Sequence, residues 1–540
     1  MSTPDLDQFT SRRSTVYAPN GIVATSQPLA AEAGTRILRA GGNAFDAAVA
    51  TAAALNVVEP TSTGLGGDAF ALYRTADGDV GAMRSCGWAP EGATIDAVSA
   101  AVAEDADTDP ESVTMPTTGP HPVTIPGTAR GWEATVERFG DLAFADVLEP
   151  AISYATEGYP VTEVIAHQWK QAETLFTDSH AREAYLVDGR APRVGETVRL
   201  ENLGESLQKV ADRGADVVYE GEIAEAIASE VQDNGGFLTV DDLAEFEPEF
   251  PDPVSTTYNG VEIYELPPNN QGLIVLEALN IAQELGVDGS LDEPTYRHRL
   301  IEAIKLAFHD GHHYITDPEY EDVPPLQDEA YAVERAAAVG EAALSDVEVG
   351  MPNAGAAEDA DTVLLTVADD EGNVVSFINS RFEGFGSGLV AGDTGIALQN
   401  RGASFSLNPD HPNHLEPGKR PFHTLIPALA RFGPDDWAAF GVMGGFMQPQ
   451  GQVQVISNIV DKGLPLQAAL DRPRCRYRED GTLAVEGTLD GHTATKLARR
   501  GHDVRVEPPD VFGGAQIVRN DGGTLSGATE PRKDGTVAGF

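Results

Sequence analysis

Thr362 combines a hydroxyl nucleophile with a position that could give it its own base. It follows Asp361 at the end of an acidic stretch and comes directly before residues that predict a β-strand. Cleavage of the bond between the two residues would leave Thr362 with a free α-amine, whose pKa of about 7.7 to 8.0 suits it to accept the hydroxyl proton. This chemistry fits a self-activated nucleophile. A threonine that simply begins a strand is the commoner reason for such a junction.

Gly444 and Gly445 could stabilise the charge that such a nucleophile creates. They are adjacent in the segment GVMGGFMQPQG. Glycine backbones let two neighbouring N–H groups converge on one point, and an oxyanion hole needs donors at about 3 Å from the developing charge. A tight turn between a strand and a helix would require the same pair, so the sequence leaves both interpretations open.

Metal, triad and phosphate-binding chemistry find weaker support. The histidines whose spacing could place imidazoles on one helix face are His298, His309, His312 and His313. No cysteine or suitably spaced carboxylate completes a tetrahedral zinc site around them. No Gly-x-Ser-x-Gly elbow is present for a Ser/His/Asp triad. The segment TSTGLGGDAF, residues 61–70, lacks a Walker lysine and dinucleotide spacing, which favours close backbone packing over phosphate binding. We therefore expect no metal and no cofactor.

The predicted helices and strands that must position these residues divide the chain into a helix-rich part and a strand-rich part. Residues 21–26 predict a short strand, the Gly-rich segment after residue 60 feeds another, and residues 101–122 predict an exposed surface loop. From there to about residue 345 the pattern is mainly helical. Strands dominate after residue 361, beginning with a hairpin that turns at residues 371–373. The main predicted helices are 28–40, 43–58, 143–158, 163–176, 203–213, 220–233, 272–286, 294–315, 455–472 and 490–500.

The charge of the chain excludes several classes of partner. Its 540 residues carry 85 acidic and 36 basic side chains, a formal net charge of −49. Such a surface repels phosphate backbones and anionic lipid headgroups, which excludes nucleic-acid and membrane-surface roles. Only seven basic residues are lysine. Self-repulsion is largely screened at about 1 M salt, where the Debye length is about 3 Å, so we infer a halophilic, salt-filled cytoplasm. A hydrophobic fraction of 41% indicates a packed globule.

Cysteine usage and the N-terminal residues predict a cytoplasmic protein. Two cysteines, Cys86 and Cys475, cannot form a disulfide framework, which fits a reducing compartment. Arg12 and Arg13 are not followed by an apolar region, so no secretory or twin-arginine signal is expected. The longest apolar run, residues 47–58, is too short to span a bilayer.

Eight ordered motifs run along residues 16–540. They are GIVATSQPLAAEAGTRILRAGGNAFDAAVATAAALNVVEPTSTGLGGDAF, VTIPGTARGW, PPNNQG, EAIKLAF, FGSGLVAGDTGIALQNRGASFSL, PGKRPFHTLIPAL, GVMGGF and GATEPRKDGTVAGF. In this order they resemble the γ-glutamyltransferase (γ-glutamyltranspeptidase) family of N-terminal-nucleophile hydrolases. The resemblance implies an α+β fold, a four-layer αββα sandwich made as an inactive precursor. Self-cleavage would give a large helix-rich segment, 1–361, and a small strand-rich segment, 362–540, which stay associated as one composite domain.

By position, the resemblance makes Thr362 the nucleophile and the Asp361–Thr362 bond the one that cleaves itself. The Thr362 hydroxyl would attack the Asp361 carbonyl, an N-to-O acyl shift would follow, and ester hydrolysis would free the amine. In turnover, Thr362 would attack the amide carbonyl of a small-molecule substrate while Gly444 and Gly445 hold the oxyanion. The acyl-enzyme would then pass to water or to an amine. Ser380 takes the place of a family threonine that hydrogen-bonds the nucleophile.

Six expected substrate-binding positions depart from the glutathione-handling members. They are Cys86 for an arginine, Phe382 for an asparagine, Ser404 for an aspartate, Arg401 for a glutamine, and His423 with Thr424 for a pair of serines. Without an aspartate at 404, the pocket loses an acceptor for an ammonium group that would contribute about 1.5 to 3 kcal/mol. Arg401 and His423 could bind a carboxylate instead, which favours an anionic acyl group over a zwitterionic one.

The resemblance is strongest to a divergent branch that includes oxamate amidohydrolase and cephalosporin-acylase-like members. We therefore expect a self-processing threonine hydrolase or transferase that cleaves γ-glutamyl or related amides through an acyl-threonine intermediate. A small-amide hydrolase similar to oxamate amidohydrolase is the alternative among enzymes. An uncleaved pseudo-enzyme that binds an anionic metabolite is the alternative of another class, and it predicts a full-length chain without turnover.

Overall fold

Two antiparallel β-sheets stack face to face at the centre of the protein. The structure, a computed structural model, describes residues 13–345, 347 and 362–540. Its strands in chain order are β1 (Val16–Ala18), β2 (Gly21–Thr25), β3 (Asp68–Arg74), β4 (Val80–Ser85), β5 (Tyr159–Pro160), β6 (Thr197–Val198), β7 (Val254–Tyr258), β8 (Val261–Glu265), β9 (Val363–Asp369), β10 (Val374–Ser380), β11 (Ala428–Gly433), β12 (Asp436–Met443), β13 (Cys475–Tyr477), β14 (Thr482–Glu486), β15 (Asp503–Glu507), β16 (Gly514–Asn520), β17 (Leu525–Thr529) and β18 (Thr536–Gly539).

Strands that are distant in sequence lie side by side in both central sheets. The seven-stranded sheet has the order β1-β17-β16-β12-β11-β8-β7, and the six-stranded sheet has the order β18-β2-β9-β10-β3-β4. Smaller sheets are formed by β13-β14-β15 and by β5-β6. A buried layer between the two central sheets includes Ile22, Leu364, Leu429 and Ala439. Residues before 346 and after 361 thus build one shared core.

Helices cover the outer faces of both central sheets. They are α1 (Pro28–Arg39), α2 (Ala44–Val58), α3 (Ile95–Ala106), α4 (Thr128–Phe139), α5 (Phe144–Glu157), α6 (Glu163–Ala172), α7 (Ser179–Tyr185), α8 (Glu201–Arg213), α9 (Asp216–Tyr219), α10 (Glu222–Asp233), α11 (Val240–Ala244), α12 (Gly272–Glu284), α13 (Glu293–Tyr314), α14 (Glu329–Ala336), α15 (Met447–Val460), α16 (Leu466–Asp471) and α17 (Gly491–Arg499). None of these described helices is both long and apolar enough to cross a lipid bilayer.

The helices and sheets form four layers. Helices α1, α2 and α4 contact the six-stranded sheet, whereas α12 and α15 contact the seven-stranded sheet. Each helical layer encloses a hydrophobic core against its own sheet. The α+β class and the αββα sandwich expected from the sequence are therefore confirmed.

Helix α2 holds the central strand β9 in place. Asn43 caps the helix by accepting the N–H groups of Phe45 and Asp46, and the Asp46 carboxylate accepts the Asn43 N–H, which completes a capping box. All residues of α2 are buried. At the far end of β9, Asp369 Oδ2 accepts the Ala44 N–H at 2.8 Å. The strand that begins at Val363 is thus anchored to a helix that is itself fully enclosed.

The hairpin expected at residues 371–373 is confirmed by the pairing of β9 with β10. Three other local expectations need correction. Helix α3 extends into the expected surface loop at 101–122. The helix expected at 455–472 is two helices, α15 and α16, separated at Gly463, whose φ is +61°. Strands β7 and β8 lie within the part expected to be mainly helical, because they complete a sheet whose other strands lie elsewhere in the chain.

Candidate active site

Thr362 lies at the start of β9 and is held beside the end of the neighbouring strand. Only 2% of its surface is exposed. Its Oγ1 donates a hydrogen bond to Ser380 Oγ at 3.4 Å. The same Ser380 oxygen accepts the Phe382 N–H at 2.8 Å, which orients the hydroxyl. The expected contact between the nucleophile and Ser380 is therefore present, whereas Asp361 lies outside the described residues.

Gly444 and Gly445 form the turn between β12 and α15. Their φ angles are +114° and +55°, a region that favours glycine. A Cβ at position 444 would also lie 3.1 Å from Gly513 Cα. Within residues 13–345 and 362–540, neither glycine N–H donates a hydrogen bond to a protein acceptor. The turn thus leaves two adjacent donors available at the end of a central strand.

Gln271 fixes this turn from the first residues of α12. Its Nε2 donates to the carbonyl of Gly445 at 3.1 Å and to the carbonyl of Thr424 at 2.6 Å. The amide therefore connects the glycine turn to the segment that leads into β11. Gln271 was not predicted as a site residue, although it belongs to the motif PPNNQG, which is where sequence reasoning could have found it.

Thr362 and Gly444 line the same cleft, whose volume is about 710 Å³. One wall is α6 with the loop after β10, and it carries Glu163, His167 and Glu383. The lining also includes Arg476, Asp510, Val511, Gly513, Arg532 and Lys533. A substrate could therefore reach the threonine hydroxyl and the free glycine donors from one side.

Arg401 provides a buried positive charge next to the Phe382 ring. Its guanidinium carbon lies 4.3 Å from the centre of the Phe382 ring, and its Nη1 donates to Thr424 Oγ1 at 2.8 Å. Its Nε and Nη2 find no hydrogen-bond acceptor among the described residues. Burial lowers the pKa of Arg401 to about 10, so the group stays charged at neutral pH. The side chain therefore has unused donors in a site that is closed to water.

His423 is neutral and turned toward Asp68. Its Nε2 lies 3.0 Å from Asp68 Oδ2, and its Nδ1 accepts the Leu425 N–H at 3.2 Å. Because Nδ1 is an acceptor, the ring proton is on Nε2 and is donated to the carboxylate. Burial and the nearby Arg401 hold the pKa of His423 well below its usual range. His423 thus orients Asp68 and does not supply the positive charge that the sequence suggested for it.

Asp68 is a buried acid that sequence reasoning missed, although it lies in the quoted segment TSTGLGGDAF. Its Oδ1 accepts hydrogen bonds from the Gly127 N–H at 3.2 Å and from Gln399 Nε2 at 3.1 Å. Burial raises the pKa of Asp68 to about 7, although these donors and the Arg401 guanidinium oppose the shift. The charge beside Arg401 therefore changes near neutral pH.

The remaining predicted positions occupy the walls around Arg401. Cys86 is buried, its Sγ lies 3.9 Å from Asn269 Nδ2, and burial raises the pKa of its thiol to about 12. Its thiol is therefore protonated and unreactive at neutral pH. Ser404 ends the short 3₁₀ turn that starts at Arg401, and its carbonyl accepts from Asn413 Nδ2 at 2.7 Å.

Direct contacts, and a bridge from Gln271 to Gly445, connect six of the predicted site residues, and two further ones interact with Asp68. The connected set is Thr362, Ser380, Phe382, Arg401, Thr424 and Gly445. His423 contacts Asp68, and Cys86 interacts with Asp68 electrostatically. The close packing expected at the glycines of 61–70 is confirmed, because a Cβ at Gly67 would lie 2.4 Å from the Ser380 carbonyl oxygen.

His298 belongs to a separate buried network. Its Nδ1 lies 2.9 Å from His502 Nε2, and Lys305 Nζ donates to Glu302 Oε1 at 2.8 Å. One carboxylate and two imidazoles approach one another closely there. The Lys305 ammonium already occupies the cation position beside the carboxylate, so the network is satisfied by protein groups.

Known proteins are similar to this chain over its whole length. The family model described as Gamma-glutamyltranspeptidase matches residues 30–540. The Glutathione hydrolase-like YwrD proenzyme of Bacillus subtilis is 37% identical, over 97% of this chain and 99% of the relative. The Oxamate amidohydrolase proenzyme of Klebsiella pneumoniae is 36% identical, over 96% and 98%. The crystal structure of cephalosporin acylase from Bacillus halodurans has a TM-score of 0.91 and 45% identity, over 100% and 99%.

Proposed function

This chain belongs to the gamma-glutamyltranspeptidase family of N-terminal-nucleophile hydrolases, and we propose that it is a self-processing amidohydrolase or acyltransferase whose nucleophile is Thr362. The observation that carries this proposal is the pairing of Thr362 with Ser380 in a cleft that also contains the free donors of the Gly444 turn. Its family relatives include proteins described as proenzymes, which supports cleavage of a precursor.

Self-processing would use the same nucleophile as turnover, although the α-amine is still part of the peptide bond and cannot yet act as the base. Thr362 Oγ attacks the Asp361 carbonyl carbon, the peptide nitrogen leaves as the α-amine, and water hydrolyses the resulting ester. The fragments would contain 361 and 179 residues. Because both fragments contribute strands to both central sheets, we infer that they remain associated as one composite domain.

In turnover, the free α-amine of Thr362 accepts the hydroxyl proton while Oγ attacks the amide carbonyl of the substrate. The N–H groups of Gly444 and Gly445 stabilise the oxyanion, and loss of one such donor typically costs about 2.7 to 4 kcal/mol of transition-state stabilisation. The amine leaves, and water or a second amine releases the acyl group from the threonine.

The acyl group is proposed to be anionic and to lack an ammonium. Arg401 Nε and Nη2 are buried donors without an acceptor among the described residues, and a guanidinium binds a carboxylate in bidentate fashion. Ser404 offers no charge for an ammonium group. His423 supports this pocket through Asp68 and contributes no charge of its own.

Denaturing gel electrophoresis after folding in high salt tests self-processing. The wild-type chain should separate into fragments of 361 and 179 residues, whereas Thr362→Ala should remain one chain of full length. Thr362→Ser should still cleave, because it keeps the hydroxyl. A wild-type chain that stays intact would instead support the pseudo-enzyme alternative.

Kinetics on amides with different acyl groups test the acyl pocket. Glutaryl 4-nitroanilide should be cleaved with a higher kcat/KM than γ-glutamyl 4-nitroanilide, because the second carries an ammonium that Arg401 repels. Faster cleavage of the γ-glutamyl compound would contradict the proposed pocket.

A small-amide hydrolase similar to oxamate amidohydrolase is the second candidate. It is supported by the 36% identical relative of that name and by Arg401, which could bind the carboxylate of a very small acyl group. Ammonia release from oxamate, measured beside the anilides, would decide between the two candidates.

We also infer a cytoplasmic location. Cys86 and Cys475 are both free and buried, which fits a reducing compartment. Fractionation of the native host cells with an antibody against the protein tests this inference.

A further inference from the structure

Arg381 is a buried cation that the proposed chemistry of Thr362 does not use. It directly follows Ser380, and none of its surface is exposed. Its Nη2 donates to the Pro60 carbonyl. Its Nε and Nη1 find no acceptor among the residues that the structure describes. Open donors on a buried charge are costly, so a partner from outside these residues would stabilise the side chain.

The charge of Arg381 also lacks a negative partner. Among the described residues, no carboxylate forms an ion pair with it. Burial lowers the pKa of Arg381, and the neutral Tyr185 hydroxyl is the group that counteracts the shift. Arg401 differs, because the Asp68 carboxylate counteracts the effect of burial on its pKa. Since a guanidinium stays protonated at neutral pH, Arg381 is a full positive charge in the protein interior.

Gly64 brings further polar groups close to this charge. An ideal Cβ at Gly64 would lie 3.1 Å from Asn56 Nδ2 and 3.2 Å from Arg381 Nη1, so the two nitrogens meet on the side of Gly64 that has no side chain. The Asn56 side chain forms no hydrogen bond with a described residue. The Thr63 hydroxyl, one residue before Gly64, is also buried without a described partner. Three side chains that can donate hydrogen bonds are thus left open around Gly64.

A small monovalent anion fits these groups. A guanidinium, an amide N–H and a hydroxyl all donate, so together they stabilise a negative charge. A buried water could accept these hydrogen bonds, but it would leave the charge of Arg381 unpaired. Arg381 does not line the cleft that contains Thr362, so an anionic group on the reacting amide does not reach it. Chloride is small enough for an enclosed site, and the salt-rich medium inferred from the sequence supplies it.

The backbone of Arg381 connects this site to the nucleophile. Its N–H donates to the Ser62 carbonyl at 3.4 Å, and its carbonyl accepts the Asn400 N–H at 3.2 Å. The residue before it, Ser380, contacts Thr362 Oγ1. A ligand that fixes Arg381 would therefore also fix the segment that orients Thr362.

We propose that Arg381, with Asn56 and Thr63, forms a buried chloride site that stabilises the fold and positions Ser380. Arg381 is then a positioning residue, because it acts on Thr362 only through Ser380. Binding of the ion does not depend on the reaction, whereas its effect on turnover rests on the proposed function of Thr362. Chloride is therefore expected to act as a specific ligand in addition to screening the surface charge.

Thermal unfolding at constant total salt tests the site. Thr362→Ala protein, which should remain one chain, is folded in potassium methanesulfonate and heated in mixtures of this salt with potassium chloride. The midpoint of unfolding should rise saturably with chloride, by roughly 2 °C when chloride is about 100-fold above its dissociation constant. A midpoint that does not depend on the anion, or that rises without saturation, would overturn the proposal.

Gly64→Ala and Arg381→Met remove the site in different ways. The alanine methyl group would occupy the space between Asn56 Nδ2 and Arg381 Nη1, and methionine removes the charge. Both variants should lose the chloride-dependent shift. Without chloride, Arg381→Met should be at least as stable as the protein with arginine, because it buries no unpaired charge. Gly491→Ala adds a methyl group in open space and should keep the shift.

Arg401→Met separates the proposed site from the acyl pocket, because Arg401 also has buried donors without a described acceptor. The chloride-dependent shift should persist in this variant. A shift that Arg401→Met abolishes, and that both Gly64→Ala and Arg381→Met keep, would place the ion at Arg401 and contradict the proposal.

Bromide and kinetics complete the test. In crystals of protein folded in potassium bromide, anomalous scattering should place an ion in contact with Arg381 Nη1, and Gly64→Ala should lack it. In the active enzyme, chloride should raise kcat with the same half-maximal concentration as the unfolding midpoint, whereas competition at Arg401 would raise KM. Cleavage in none of the salts would contradict the proposed function of Thr362. Absence of the bromide ion would contradict the chloride site alone.

Discussion

Two fully buried arginines of this protein have opposite environments. Arg474 donates from Nη1 to the Phe512 carbonyl at 3.0 Å and from Nη2 to Glu530 at 2.8 Å. Arg401 donates to Thr424, but its Nε and Nη2 have no acceptor among the described residues. A buried charge is costly unless it is paired, and Glu530 pairs the charge of Arg474. The open donors of Arg401 are the ones that the carboxylate of the proposed acyl group would use.

The paired arginine also supports the site, from a distance. Glu530 joins Arg474 to Arg532, and Arg532 pairs further with Glu486. Arg532, a member of this network, lines the same cleft as Lys533. The protein thus combines a satisfied ion cluster with a lysine, Lys533, that has no partner among the described residues.

Thr362→Ala should have the largest effect on the candidate active site. It removes the nucleophile, so we expect both self-cleavage and turnover to fall by at least about 10⁴-fold, without loss of the fold. Denaturing gels and release of nitroaniline measure the two effects, and circular dichroism measures the fold. Cleavage that persists in the variant would show that another residue is the nucleophile.

Arg474→Met tests the ion cluster around Glu530. The change leaves Glu530 with only Arg532 as a charged partner, and breaking such a buried pair costs about 3 kcal/mol of stability. We expect a lower midpoint of thermal unfolding, measured on the uncleaved Thr362→Ala background so that only one chain unfolds. An unchanged midpoint of thermal unfolding would contradict the stabilising role assigned to Arg474.

Arg401→Met should lower the activity without lowering the stability of the protein. Activity toward anionic acyl amides should fall roughly 10- to 100-fold in kcat/KM, because a charged hydrogen bond to the substrate is worth about 1.5 to 3 kcal/mol. Stability should stay constant or rise, since the variant no longer buries a charge with open donors. Kinetics and thermal unfolding measured together check both statements. Arg401→Lys, which keeps a charge without the planar fork, is the matched control.

The pH dependence of ligand binding should show the smallest effect. Asp68 has a pKa of about 7, so it is neutral below pH 7. Above pH 7 its carboxylate is negative and partly neutralises the positive charge of Arg401. The inhibition constant of glutarate should therefore rise several-fold as the pH increases from 6 to 8.5. Asp68→Asn should flatten this profile. A profile that the substitution does not change would assign the titration to another group.

The same group affects stability in a defined direction. The pKa of Asp68 is higher in the folded protein than the value of about 3.9 in an unfolded chain, so the folded state binds more protons between about pH 4 and pH 7. The contribution of Asp68 to stability is therefore fully present below about pH 4 and is lost as the pH rises through 7.

Local signals in the sequence were sufficient for elements whose partners are nearby. The cap at Asn43, the hairpin around residues 371–373 and the glycine turn at 444–445 each follow from a few adjacent residues. Strands β7 and β8 form a hairpin across the two-residue turn Asn259–Gly260, a local signal that the sequence reading missed. Only the pairing of β8 with β11, about 165 residues later, has no local signal. The position of Asp68 beside His423 was missed for the same reason, since 355 residues separate them.

The sequence by itself predicted the nucleophile, the glycine turn and a salt-rich medium. Thr362 stands before a strand, two glycines form a turn, and the charge of −49 describes a surface suited to salt. Only the tertiary structure decided which charges are available. Arg532 and Lys533 are adjacent and alike in sequence, yet one is paired with two glutamates and the other has no described partner. Pairing depends on carboxylates that folding brings from distant positions, and no local pattern encodes their distance.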